Sequence, residues 1–175
     1  MPVIECHAQV YGPLHVLHID AHADTYENFD QNPYSHASPF ARLLERGCIA
    51  GLTQVGLRTV TRHQREQAAR YGIHMVEMKD FELNFLSALQ APLYVSLDMD
   101  ALDPAFAPGV SHHEPGGLST RQLLQLLHQL PISPVGADLV EFNPMRDLFD
   151  QTAMVGYKLM KELLYLLMQQ SPAAH

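Results

Sequence analysis

The stretch VLHIDAHADTYENF, residues 16–29, runs from a short apolar segment, Val16 to Ile19, straight into Asp-Ala-His-Ala-Asp. Two carboxylates and an imidazole occupy five consecutive positions just past HVLHI (15–19), which reads as a buried strand. A second junction of the same kind is PLYVSLDMD (92–100), apolar on both faces until it reaches Asp98 and Asp100. Strands apolar on both faces belong to parallel sheets covered by helices on each side. In such sheets functional groups gather beyond the carboxyl ends of the strands. The two junctions therefore decide both the fold class and the place of the site.

Working outward, strand and helix patterns alternate. ASPFARLLERG (37–47) reads as a short helix stopped by Gly47, TQVGLR (53–58) as a strand, and TRHQREQAARYG (61–72) as a helix ending at Gly72. IHMVEM (73–78) is a further strand, and a helix is expected from there to about Leu89. After the strand at 92–100 comes a loop rich in Pro and Gly, Ala101 to Gly117. STRQLLQLLHQL (119–130) is an amphipathic helix with Ser119 as its N-cap, and PVGADLVEF (134–142) is the fifth strand. Thr152 to Gln169 is a helix whose Leu and Met stripe reads as core. The predicted fold is α/β, a three-layer αβα arrangement around a parallel sheet, as one domain over residues 1–175.

Composition narrows the function. At 47% hydrophobic and 17% charged the chain is globular, and a net charge of −8 without a basic cluster argues against nucleic acid as a partner. Cys6 and Cys48 form no CxxC pair, which suits a reducing compartment, and cytoplasmic residence is the expectation. MPVIECHAQVYGP has no basic segment followed by an apolar one, so no signal peptide is read there. No apolar run is long enough to span a bilayer, and no membrane partner is expected.

Alone, DAHAD also fits a polar turn that caps a helix. The second acidic pair shifts the weighing: Asp98 and Asp100, two apart on an extended segment, are expected to share one face. Unpaired carboxylates at the rim of a core repel one another and resist ionisation, and a cation removes both penalties. The donors are oxygen-rich, with imidazole and no thiolate, which suits Mn²⁺ better than structural zinc. Two ions among four aspartates lower the pKa of a water between them and hold it near a trigonal carbon. Asp103, before Pro104, reads as a loop-shaping residue, whereas His112 and His113 are equally open to lining a pocket or facing solvent. His36 is a loop histidine able to carry protons, and Glu141, ending an apolar strand, suits a cationic substrate. His7, His15, His18, His63, His74 and His128 read as structural or surface residues.

HIDAHADTYENF (18–29), YSHASPFARLLERG (34–47), SLDMDALDPAFAPGVSHHEPGGLS (96–119) and VGADLVEFNPMRD (135–147) together resemble the ureohydrolase family of arginases and agmatinases. The wording is closest to plant-type arginases. The resemblance implies a binuclear manganese centre that hydrolyses a guanidino group and releases urea, from arginine or agmatine. It implies that Asp20 and Asp98 bridge the two ions, that Asp24 completes one shell, and that His22 and Asp100 complete the other. His36 matches the family's proton-carrying histidine, and Glu141 the acid that holds the guanidinium. Formimidoylglutamate hydrolysis and single-zinc deacetylation on a similar fold are disfavoured, by VEFNP and by the paired acids respectively.

The family carries a further histidine ligand in a Gly-Gly-Asp-His type motif upstream of DAHxD, and residues 1–19 contain no such motif. The resemblance thus covers the C-terminal part of the family fold without its first strands. A catalytically impaired remnant, binding metal partially or acting through another chain, is the alternative function. It also implies a strand order of five, four, one, two, three, leaving 134–142 as an apolar open edge. A homo-oligomer joined through that edge is the expected assembly.

Overall fold

The computed structural model describes residues 1–169. Ten regular elements follow in chain order: α1 (Pro2–Tyr11), β1 (Leu14–Ile19), α2 (Pro39–Glu45), β2 (Ile49–Leu57), α3 (Arg62–Tyr71), β3 (His74–Glu77), β4 (Leu93–Asp98), α4 (Thr120–His128), β5 (Gly136–Val140) and α5 (Gln151–Met168). The five strands form one parallel sheet in the order β3-β2-β1-β4-β5. This is the expected fold class, and the expected order read from the other side.

Alternation along the strands divides the core. Val16, Leu52 and Tyr94 lie side by side on one face and pack against Ile4 of α1, Phe40 and Leu43 of α2, and Ala68 of α3. Leu17, Ile19, Val95 and Leu97 face the other way, against Leu123, Leu126 and Leu127 of α4 and Leu159 and Leu163 of α5. Each fully buried leucine contributes roughly 1.5–3 kcal/mol, so the central strands β1 and β4 are strongly anchored. Local chemistry sets the helix ends. Thr61 with Gln64, and Ser119 with Gln122, form reciprocal capping boxes at the starts of α3 and α4.

Three local expectations are corrected and one element is added. Residues 2–11 form a helix that periodicity did not announce, held to the sheet by Ile4. The segment after β3 is not an α-helix but two 3-10 stretches, Met78–Asp80 and Leu83–Ala88. Phe85, Leu86 and Leu89 are buried in the core, with Phe81 and Leu83 packed against it. Asp98 and Asp100 do not share an extended segment. The strand ends at Asp98, whose carboxylate accepts the Asp100 N–H at 2.8 Å and starts a 3-10 turn over Met99–Ala101. Finally, α5 packs Leu159 and Leu163 inward but turns Met154, Leu164 and Met168 outward, because β5 lies at the sheet margin. Among the described residues no helix is long and apolar enough to cross a membrane.

Candidate functional site

Past the carboxyl ends of β1, β2, β4 and β5 lies a cavity of about 440 Å³. All seven residues singled out from the sequence line it: Asp20, His22, Asp24, His36, Asp98, Asp100 and Glu141. Tyr26, Phe29, Ala37, Thr59, Val60, Thr61, Gln64, His112 and Glu114 complete its wall.

The aspartates converge because β1 and β4 are neighbours in register, Ile19 beside Leu97. Asp20 is almost wholly buried. Its Oδ1 accepts the His22 N–H at 2.7 Å, and its Oδ2 lies 2.8 Å from His18 Nε2. His22 Nδ1 stands 3.1 Å from Asp100 Oδ2 and 3.3 Å from Asp20 Oδ1, while Asp100 Oδ1 accepts the Ala21 N–H at 3.2 Å. Asp24 occupies the left-handed region at φ 51°, where an aspartate is tolerated better than most side chains. Glu141 does so at φ 64°, one residue past the end of β5, and is exposed rather than held within an apolar strand.

Charge is crowded here. Burial and the charge of Asp20 push Asp24 up to about 7. Burial, then Asp20 and Asp100, raise Asp98 well above the usual carboxylate range, and burial with Asp20 raises Asp100 despite the His22 contact. Asp20 is the exception: although burial opposes its ionisation, His18 and His22 hold it below the usual range. Hydrogen bonds to Asp100 and Asp20 carry His22 up to about 10. Carboxylates that repel one another in a buried cleft suit divalent cations. Ligand atoms of Asp20, His22 and Asp100 lie within 4.8 Å of one another, and so do those of His18, Asp20 and Asp24. The donor set therefore fits hard to borderline divalent ions, with no thiolate among the cavity residues.

The turn bearing Asp98 and Asp100 is clamped from behind. The Arg58 side chain, leaving the end of β2, donates to the carbonyls of Gly56, Asp100, Ala101, Leu102 and Glu114. All five guanidinium donors are thus spent on main chain. Arg58 and Thr59 also give their backbone N–H groups to Ala21 O, tying the DAHAD loop to β2. A Cβ at Gly56 would lie 2.9 Å from Asp20 O, and one at Gly117 would lie 2.6 Å from Arg58 Nη2. Only glycine lets those backbones approach so closely. Asp103 shapes its loop as expected, accepting from Ala105, Gly116 and Gly117 N–H groups.

His36 stands exposed at the cavity wall. His112 stacks on it with ring centroids 5.8 Å apart and meets His22 edge-on at 6.0 Å, so His112 is a wall residue. His113 instead bonds Pro108 O and is not among the lining residues. Three contributors escaped the sequence reading. His18, read as structural, touches Asp20, and strand alternation does put residues 18 and 20 on one face. Gln54 and Arg58 carried no signal beyond being polar residues in an apolar strand pattern.

An open parallel sheet with a carboxylate and imidazole cluster at its carboxyl edge defines the class: an α/β protein with a site suited to divalent cations. The chain belongs to the Arginase family, whose sequence model matches residues 1–165. It is 51% identical over 160 residues to a protein named arginase 1, mitochondrial, of Arabidopsis thaliana, covering 87% of this chain and 47% of that protein. It is 41% identical over 174 residues to a guanidinopropionase of Pseudomonas aeruginosa, covering 91% of this chain and 55% of that one. The solved arginase from Medicago truncatula superposes with a TM-score of 0.90 at 45% identity, over 95% of this chain and 55% of that chain. The chain therefore spans about half the length of these relatives.

Proposed function

We propose that this chain carries the centre of a ureohydrolase that uses two manganese ions to cleave a guanidino group, releasing urea and an amine. Arginine and agmatine are the proposed substrates. The observation that carries this reading is the convergence of Asp20, His22, Asp24, Asp98, Asp100, His36 and Glu141 on one cavity, in a chain of the Arginase family.

Asp20 and Asp98 would be shared by both ions, Asp24 would serve one, and His22 with Asp100 the other. When bound, the ions supply an acidified water and stabilise charge at the attacked carbon. The remaining work falls to the chain. Glu141 offers a carboxylate to the planar guanidinium, a pairing that favours two parallel hydrogen bonds. His36, exposed to solvent beside the cavity, delivers the proton that the departing amine needs as its C–N bond breaks. Tyr26 and Phe29 give the cavity an apolar wall against which an alkyl chain packs.

Manganese per chain after loading and exhaustive dialysis, followed by urea release from arginine and agmatine, tests the proposal. Close to two ions with urea release is the expected result, and one ion or none refutes it for this chain alone. A second reading, a chain that binds metal partially or associates with another chain, is supported by Asp98 lying in neither of the two groups of converging ligand atoms. β5 is the sheet margin, with Val140 and Phe142 exposed, and self-association through residues 134–142 is the proposed assembly. A monomer whose β5 amides resist hydrogen exchange would sink that part. Two free cysteines suit the cytoplasm, and suit equally the mitochondrial location in the name of the Arabidopsis relative.

A further inference from the structure

We infer that His18, held by Gln54, is a positioning residue for Asp20, an inference that rests on the metal centre proposed above. His18 and Gln54 are direct partners in the parallel pairing of β1 and β2, and both are buried. The Gln54 Nε2 lies 2.5 Å from Ala23 O and 3.0 Å from His18 Nδ1. The carbonyl of Ala23 only accepts, so it fixes which end of the amide points there: the opposite orientation would set two oxygens against each other. An amide N–H facing Nδ1 requires that nitrogen to accept, which leaves the ring proton on Nε2. That Nε2–H points at Asp20 Oδ2, 2.8 Å away.

The arrangement leaves Asp20 little freedom. Oδ2 takes the His18 proton and Oδ1 takes the His22 backbone N–H at 2.7 Å, so the carboxylate plane is fixed from both oxygens. The imidazole is itself immobilised, since the Phe40 ring packs against it with centroids 4.1 Å apart. Through Ala23 O, the same Gln54 amide also holds the loop between His22 and Asp24. One buried side chain on β2 thus sets the pose of a carboxylate that would hold the ions and the path of the loop carrying two other proposed ligands. Such outer contacts commonly govern metal affinity by 10–100-fold.

The competing role for His18 is direct ligation, because its ring nitrogen also falls within 4.8 Å of ligand atoms on Asp20 and Asp24. Two variants separate the roles. His18→Gln keeps an N–H of similar reach but loses the imidazole nitrogen, whereas His18→Leu loses both. Manganese dissociation constants, from the electron paramagnetic resonance signal of free Mn²⁺, are read beside circular dichroism and the thermal midpoint. Positioning predicts roughly 10–100-fold weaker binding for His18→Leu and recovery to within about threefold of native for His18→Gln. Equal loss in both variants overturns positioning in favour of ligation, and equal retention in both overturns any role. Should His18→Leu fail to fold, the ¹⁵N signals of the His18 ring in the native chain decide. A protonated Nε2 with an accepting Nδ1 is expected, and the reverse overturns the inference. A native chain that takes up no manganese fails the metal-centre reading first, and the same ring nitrogens still decide whether Gln54 and His18 hold Asp20 as inferred.

Discussion

Replacing Arg58 by methionine removes every donor that ties the carboxylate turn to β2, while keeping an unbranched side chain. Five carbonyls lose a partner, those of Gly56, Asp100, Ala101, Leu102 and Glu114. A hydrogen bond from a charged donor contributes about 1.5–3 kcal/mol, yet five of them on one rigid group do not add. The guanidinium is part-buried, so water replaces some of the contacts, and Ala101 O keeps the Leu118 N–H at 3.0 Å. The net loss expected is about 3–5 kcal/mol, because several part-buried carbonyls are left without a donor at about 1–3 kcal/mol each before water replaces some. For a chain of this size each kcal/mol moves the thermal midpoint by roughly 2–4 °C, giving a fall of roughly 6–20 °C. Thermal unfolding followed by circular dichroism, with and without manganese, measures it. Because the clamped turn carries Asp98 and Asp100, manganese affinity well below the midpoint must fall as well. Arg58→Lys, with its donors at one point instead of a fork, should recover less than half of either loss. A midpoint within about 2 °C of native would refute the reasoning, since even 1 kcal/mol moves it that far. So would a destabilised variant with unchanged manganese affinity.

In chelator-treated protein, Asp24 titrates near 7 in the folded chain against 3.8 in the unfolded one, so the folded state keeps an extra proton between those values. Stability should fall as pH rises through that window, and Asp24→Asn should flatten the slope in urea titrations; an unaltered slope contradicts the assignment. His22, raised from 6.5 to about 10, contributes stability that is complete below 6.5 and lost as pH climbs toward 10, which His22→Asn removes. Asp98→Asn should act with opposite signs on fold and function. It relieves repulsion from Asp20 and Asp100, raising the midpoint of chelator-treated protein, yet abolishes tight manganese binding. Unchanged manganese affinity in that variant would remove Asp98 from the centre. Glu141→Gln should leave manganese uptake at the native level and lower kcat/KM for urea release by roughly 10–100-fold, the loss of one charged hydrogen-bonded pair.

The edge carrying the site is legible because β1 and β4 are apolar on both faces and break into acids at the same level, whereas the sheet order follows only from the family resemblance. Spacing counted along the chain gives His18 no place among the metal ligands. Measured across the strand it shares a face with Asp20, and the alternation rule holds that information. Arg58 is a different failure. Its partners are main-chain carbonyls 42 to 56 residues away, apart from Gly56, and no side-chain pattern announces them. The turn at Asp98 is hidden for a related reason, since a carboxylate that caps its own 3-10 turn looks in sequence like one more strand residue. The outward methionines of α5 obey helical spacing, but spacing cannot say that the strand beneath is a margin.

The groups assigned to the cations and those assigned to the substrate stand on different foundations. Asp20 and Asp98 spring from β1 and β4, each flanked by strands on both sides, whereas Glu141 follows the marginal β5 and His36 sits in an exposed loop. Change at the periphery leaves the anvil in place. The groups proposed for the substrate can therefore shift with loops and one margin, while those proposed for the cations stay on two interior strands.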